Sequence, residues 1–393
     1  MRLGLMDLSF RRADRDLLSR WFATVDRRLL AMLLVLLGCG LIAVAAASPA
    51  AALRLSGSDV RFPPLFFLER QILWVVIGLP LMLATSLLSK STARRAAILG
   101  FAVFLLALAL VPLIGVETNG ARRWLQLPGL QLQPIEFLKP LFAVTTAWLF
   151  AMRFEDGSLP VLRSGLLLLG VIVALLVVQP DFGQTALVIA VWVVQAVLAG
   201  MPLLWLLVIA VAGLSGLVLA YQFEPHIRQR LDSFLHGTGD TYQVERALDC
   251  FRSGGFFGTG PGEGVAKFRL PEAHTDYIFS VIGEEFGMIA CLALALLFLA
   301  IVLRVLLQLL DEDDPFILIA SAGLVVQFGL QAFINMSVNL SLAPAKGMTL
   351  PFISHGGSSL LATAIQMGLL LALTRRNRYL KASPYLHPGA SLQ

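Results

Sequence analysis

Charged residues are scarce, at 14% of 393 positions against roughly a quarter in soluble domains, while 58% are hydrophobic and the mean hydropathy is +0.81. A single water-soluble core built from this composition would leave far too much apolar surface uncovered. Disorder and collagen are excluded by the same figures. Cysteine is nearly absent: Cys39, Cys250 and Cys291 build no disulfide framework, and Cys39 and Cys291 sit in apolar runs as packing residues. The net charge of +5 and pI of about 9.4 match the Lys and Arg excess that cytoplasmic loops of membrane proteins carry, so a nucleic-acid partner is not indicated. What is present instead is a series of long apolar runs.

A helix crosses the hydrocarbon with about 20 mostly apolar residues. Such runs fall near 29–49, 71–89, 96–115, 136–152, 162–179, 183–200, 202–221, 277–305, 315–337 and 357–374. The expected fold class is therefore all-α, a polytopic integral membrane protein with about ten transmembrane helices. The weakest divisions are Gln179-Pro180-Asp181 and Gly200-Met201-Pro202, where a proline kinks a span as readily as it ends one. Small residues in Ala45–Ala52 resemble a signal-cleavage site, but the polar lead of roughly 28 residues and the long apolar run favour a retained first helix.

Basic residues set the orientation. Arg2, Arg11, Arg12, Arg15, Arg20, Arg27 and Arg28 precede span 1, Arg375, Arg376, Arg378 and Lys381 follow span 10, and Lys90, Arg94 and Arg95 sit in the first loop between them on the same side. Both termini are expected in the cytoplasm. The chain divides into a cytoplasmic lead 1–28, spans 1–7 over 29–221, a large outer loop 222–276 between helices 7 and 8, spans 8–10 over 277–374, and a cytoplasmic tail 375–393. The outer loop holds Arg228, Arg230, Arg246, Arg252, Lys267 and Arg269, a cation load on the disfavoured side that an anionic substrate would explain.

Charges inside spans cost roughly 2.5–3.5 kcal/mol each on insertion scales, so those present call for a reason. Glu136 and Lys139 lie three apart on span 4, which Pro134 opens; they form either a self-neutralising pair that eases insertion or one wall of a charged cleft. Arg70 opens span 2, and Asp181 is placed to cap the next helix. The pair Glu284-Glu285 in span 8 must face protein or water.

In the outer loop, the run Gly254-Gly255-Phe256-Phe257-Gly258-Thr259-Gly260-Pro261-Gly262-Glu263-Gly264 lacks the Gly-Lys-Ser/Thr of a phosphate loop; its glycines suit backbone lying at the membrane interface. The loop closes on Pro271-Glu272-Ala273-His274-Thr275-Asp276. His274 and Asp276 have neither the number nor the spacing of a zinc site, and Asp276 is a water-accessible candidate general base. Near the end, Lys346 is the one cation of the last outer loop, and Gly356-Gly357-Ser358-Ser359 offers either donors or a cap with close packing at the start of span 10.

The segments 133–139, 179–185, 271–287 and 344–359 resemble, in order and spacing, the hallmark motifs of the SEDS family, the shape, elongation, division and sporulation proteins. Pro271-Glu272-Ala273-His274 and Pro344-Ala345-Lys346-Gly347 look more like the division branch than the elongation branch. The resemblance implies a ten-helix glycosyltransferase of the bacterial cytoplasmic (inner) membrane, at the division septum, that polymerises lipid II into glycan strands and releases undecaprenyl pyrophosphate with inversion. Implied partners are lipid II, a class B penicillin-binding protein (the septal transpeptidase) and other membrane proteins of the division machinery.

The family's essential acidic residue corresponds to Asp276, its helix 4 pair to Glu136 and Lys139, its helix 2 arginine to Arg70 and its last-loop lysine to Lys346. Arg123, His274 and Ser358 complete the candidate substrate contacts. The sequence assigns no cofactor; a divalent cation, Mg or Mn, is an alternative to the protein's own cations for neutralising pyrophosphate. Departures are Gln184, Ile135 and His355, where the family usually has Thr, Ser and Tyr. Competing functions are a lipid II flippase using the same cleft and a non-catalytic division scaffold; the latter has no need of charges within spans.

Overall fold

The computed structural model describes residues 17–57, 61–118, 121–127, 130–223, 242–344 and 347–375, with Arg228 and Asp232. Among them the helices are α1 (Leu17–Thr24), α2 (Arg27–Leu55), α3 (Phe66–Ser86), α4 (Lys90–Ile114), α5 (Pro134–Glu155), α6 (Val161–Val178), α7 (Phe182–Leu198), α8 (Leu203–Phe223), α9 (Tyr242–Gly254), α10 (Ile278–Leu309), α11 (Pro315–Asn339) and α12 (Gly357–Leu373). Seven helices have the length and apolar composition to cross a membrane by themselves, and three shorter apolar helices at 182–198, 204–216 and 357–373 fall where the remaining spans were expected. The Ala45–Ala52 stretch is continuous helix inside α2.

Local chemistry sets the helix starts. Asp26 caps α2 by accepting from the N–H groups of Arg28 and Leu29, Ser89 caps α4, Asp314 caps α11 ahead of Pro315, and Pro134 occupies the first turn of α5. Asp181 is the cap of α7, its carboxylate accepting from Gln184 N. At one end of the bundle Asp26 also takes two charge-assisted hydrogen bonds from Arg304, at 2.8 and 3.0 Å, and pairs Lys90–Asp314 and Arg375–Leu88 O tie further helix ends together.

Among the seven helices long enough to span a membrane by themselves, burial singles out two. In α5, 78% of the apolar window is buried, and in α11, 61%, against 22% in α3 and α4. Leu99, Val103, Leu106 and Leu113 of α4 point outward, as a lipid-facing helix requires. The two central helices are also the ones that carry Glu136, Lys139, Gln331 and Asn335 among their buried polar side chains. Polar groups too costly to meet lipid are thereby placed where other helices surround them.

One element lies outside the all-α expectation. Residues 116–132 form a three-stranded antiparallel sheet, β1 (Val116–Thr118), β2 (Ala121–Leu127) and β3 (Leu130–Leu132), in the order β1-β2-β3. The strands lie in the connection from α4 to α5 and form a short ribbon at that end of the bundle.

The glycine-rich loop packs onto a helix. α10 is interrupted at Gly287 (φ 80°, ψ 178°), which leaves main-chain groups without helical partners. The carbonyls of Glu284 and Glu285 accept from Thr259 N (2.9 Å) and Gly260 N (3.1 Å), and Met288 N and Ile289 N donate to the carbonyls of Gly255 (2.9 Å) and Phe256 (3.3 Å). The side chains of the pair are engaged too. Glu284 accepts from Ala266 N (2.6 Å) and Lys267 N (2.8 Å), while Glu285 pairs with Lys267, whose Nζ also reaches Ala46 O of α2 at 2.9 Å. The two carboxylates therefore face protein and fasten the outer loop to α10 and α2.

A Cβ on Gly287 would overlap Gly258 N and Phe256 O, and its backbone lies in a region open essentially to glycine alone. Gly287→Ala is expected to lower stability by at least about 2 kcal/mol, read as a drop in the thermal midpoint of the detergent-solubilised protein.

Candidate active site

A cavity of about 840 Å³ opens where α3, the sheet, α5, the 272–277 turn, α11 and the 347–359 segment meet. Its ionisable lining is Arg70, Arg123, Glu136, Glu272, Asp276 and His355. The structure thus gathers Arg70, Arg123, Glu136, Asp276 and Ser358 in one space. Lys346 lies outside the described residues.

Each of these side chains has a local reason for its place. Arg70, one turn into α3, lies over the Phe66 ring (4.9 Å) and remains exposed to the cavity. Arg123 on β2 reaches the α6–α7 turn, donating to Gln179 O (3.3 Å) and Pro180 O (2.6 Å) with Asp181 at 4.0 Å. Ser358 joins the sheet to α12: its hydroxyl donates to Gln131 O (2.9 Å) and accepts from Gln133 N (3.3 Å).

Glu136 and Lys139 form more than a two-body pair. Lys139 Nζ donates to Glu136 (3.1 Å), Gln184 Oε1 (2.8 Å) and Gln331 Oε1 (3.0 Å), and Gln184 Nε2 returns a hydrogen bond to Glu136 at 2.7 Å. An ammonium has three protons, so Lys139 is saturated. It is 2% exposed and lies beneath the cavity, which Glu136 reaches. Gln184, one of the departures from the family pattern, is thus an integral member of this network.

Asp276 sits in a turn held from several sides. Tyr277 N and Thr275 N both donate to Glu272 O, Ser354 Oγ donates to Thr275 O (2.6 Å), and His355 N donates to His274 O (2.8 Å). The Asp276 carbonyl accepts from Asn335 and Asn339 of α11, each at 2.9 Å. Gly347, with φ +62°, faces the carboxylate: a Cβ there would stand 3.4 Å from Asp276 Oδ2. Thr349 and Ser359 share a 2.6 Å hydrogen bond on the same wall.

His274 is not among the residues that line the cavity. It packs behind the wall against Phe67 (ring centroids 4.3 Å apart) and His355 (5.6 Å), and His355 is the imidazole that reaches the cavity. Burial, followed by the neighbouring His274 and Arg70, pushes His355 down to about 3. His274 is lowered as well, by burial against an opposing pull from Glu272. His355 is therefore a neutral imidazole at neutral pH, its buried Nδ1 without a hydrogen-bond partner.

That neutrality couples to stability. Unfolded, the imidazole binds a proton below about pH 6.5; folded, it does so only near 3, so the unfolded state holds the extra proton between those values. Stability is then full above 6.5 and falls as pH drops towards 3, by about 2 kcal/mol at pH 5. His355→Tyr should flatten the loss between pH 7 and pH 5 in thermal melts by about that amount; an unchanged slope contradicts the assignment.

Sequence reasoning overlooked the polar stripe of α11. Gln327, Gln331, Asn335 and Asn339 recur every fourth residue, which places them on one helix face within an otherwise apolar span. That spacing is the available signal. Among the described residues no three His, Cys, Asp or Glu side chains converge into a metal-ligating group.

Fold and cavity together define a multi-pass helical membrane protein with a polar, mixed-charge site at one end of its bundle. The model of the FtsW/RodA/SpoVE family, described as cell cycle protein, matches residues 27–379, and the chain belongs to that family. A Caulobacter vibrioides protein named probable peptidoglycan glycosyltransferase FtsW is 42% identical over 372 residues, covering 94% of each chain. A Thioalkalivibrio sulfidiphilus protein of the same name is 37% identical over 383 residues, covering 93% of each.

Solved structures agree. A chain reported in work on structural coordination of polymerization and crosslinking by a peptidoglycan synthase complex superposes with a TM-score of 0.71 at 28% identity, covering 89% of this chain and 97% of that one. The Thermus thermophilus rod shape determining protein RodA superposes at 0.62 with 26% identity, covering 89% and 96%.

Proposed function

We propose that this protein is a peptidoglycan glycosyltransferase that polymerises lipid II at the outer face of the bacterial inner membrane, in the division septum. The observation that carries the reading is the cavity itself: Asp276, Arg70 and Arg123 share one space of about 840 Å³ at the end of a membrane-spanning bundle. Support comes from relatives named as such enzymes over nearly the full chain. The likeness to a synthase complex of polymerisation and crosslinking supports a class B penicillin-binding protein, the septal transpeptidase, as partner.

Chemistry follows from the residues. The 4-hydroxyl of the acceptor GlcNAc attacks the anomeric carbon of the lipid-linked donor, and the Asp276 carboxylate takes the hydroxyl proton. The bond from that carbon to the pyrophosphate oxygen breaks with inversion, and its electron pair leaves on undecaprenyl pyrophosphate. Arg70 and Arg123 meet the developing negative charge, with Lys346 as a third cation. Glu136 and Lys139, neutralised within their network, shape the cavity floor and hold the α5–α7–α11 junction. Ser358 keeps the sheet over the site, while His274 supports His355 from behind.

The test is reconstitution of the full chain with its transpeptidase partner and labelled lipid II. Long glycan product on gels supports the enzyme; headgroup translocation across vesicles without any polymer identifies a flippase instead.

A further inference from the structure

The Asp276 main-chain carbonyl is an acceptor shared by two buried amides, and one of these has a second attachment. Asn335 Nδ2 donates to Asp276 O at 2.9 Å and to Met348 O at 2.6 Å. One NH2 group thereby joins the turn that carries Asp276 to the segment that carries Gly347 and Thr349. Asn335 is 2% exposed and lines the cavity. Few side chains can substitute, because two protons on one small neutral nitrogen are particular to the carboxamides.

Asn339, one turn on, braces the same point. Its Nδ2 donates to Asp276 O (2.9 Å) and to Asn335 O (2.9 Å), and its Oδ1 accepts from Ser280 N (3.1 Å) and Ser280 Oγ (2.8 Å) at the start of α10. Gln331, one turn earlier, extends the stripe to Thr349 O (3.1 Å) and to Lys139. The opposite edge of the turn is held by Ser354 Oγ to Thr275 O and His355 N to His274 O. With the backbone pinned on both edges, these contacts set where the Asp276 side chain leaves the main chain. Gly347, on the segment that Asn335 has just fixed, lies on the carboxylate's side, where an added Cβ would stand 3.4 Å from Oδ2.

We infer that Asn335 is the positioning residue of this active site: its paired N–H groups lock the Asp276 turn and the Gly347–Thr349 segment in one register and so aim the Asp276 carboxylate at the acceptor hydroxyl. This rests on the reading of Asp276 as general base. Among the described residues, the charged and titratable groups sharing the cavity with Asp276 are Glu272 and Tyr277 of its own turn, His355, Arg70, Arg123 and Glu136; the polar stripe of α11 contributes amides only.

The test uses the full chain with its transpeptidase partner and labelled lipid II. Asn335→Asp keeps the side chain's shape, removes both donors and sets the first carboxylate on the α11 face. Expected are a fall in kcat of at least about 30-fold, since small displacements of a reacting group cost up to about 100-fold, and a KM within about threefold of wild type. The acid limb of the kcat/KM profile should move to higher pH, because a second carboxylate nearby disfavours the Asp276 anion.

If Asn335→Asp does not fold, Asn335→Ser and Asn339→Ser are read in the same way. Each should lower kcat by roughly fivefold at unchanged KM, consistent with loss of one buried hydrogen bond of about 1 kcal/mol. Wild-type kcat in folded variants, or a rise in KM alone, overturns the inference. A wild-type complex that makes no polymer sinks the reading of Asp276 and this inference with it. A wild type that polymerises beside an equally active Asn335→Asp protein sinks the inference alone.

Discussion

Asp276→Ala is expected to cut lipid II polymerisation by about 1,000-fold while lipid II binding stays within about threefold of wild type. The carboxylate is the group placed to take a proton in the transition state, and general bases of this kind contribute roughly 100- to 10,000-fold. Its backbone is held by Asn335, Asn339, Ser354 and His355 through main-chain contacts, none of which the alanine side chain disturbs. Fold and cations therefore persist, and the loss should appear in kcat. Asp276→Glu makes a sharper comparison. The extra methylene carries the carboxylate more than about 1 Å from its place, at a cost of about 100-fold.

Lys139→Met should be the most destabilising single change at the site, by about 3–5 kcal/mol. Removing one partner leaves Glu136 as an uncompensated charge beside Gln184, and Gln331 Oε1 loses its donor. The double replacement Glu136→Gln/Lys139→Met removes both charges and should restore most of the loss, because a buried pair exchanged for neutral groups of similar volume is often near neutral. Thermal unfolding of purified wild-type, single and double variants measures this directly. Equal midpoints for the single and double variants would contradict the pairing.

The ten apolar helices were legible because each needs an apolar run of a length the bilayer dictates, and runs that long leave an unmistakable trace. The charges of the site were legible because each is costly in a span and draws attention. Their division of labour was not. Lys139 and Arg70 are both cations near helix ends, yet one is saturated inside a four-residue network and the other opens into the cavity; that difference depends on Gln184 and Gln331, remote in sequence.

Glu284 and Glu285 gave a similar lesson. Intramembrane acid pairs suggest a polar interior, but here they anchor a loop, because the break at Gly287 frees main-chain groups that the glycine-rich run is shaped to meet. His274 and His355 exchange places for the same reason: only the fold decides which imidazole fronts the cavity. The sheet at 116–132 escaped notice because strands of three to seven residues carry little periodicity to read.

The most direct test of the account is a structure of the Asp276→Asn protein, in complex with its transpeptidase partner and lipid II, determined by cryo-electron microscopy. The account predicts the pyrophosphate within hydrogen-bond reach of Arg70 or Arg123 and an acceptor hydroxyl about 3 Å from the side chain at position 276. A headgroup bound outside this cavity, with both arginines facing solvent, would contradict it.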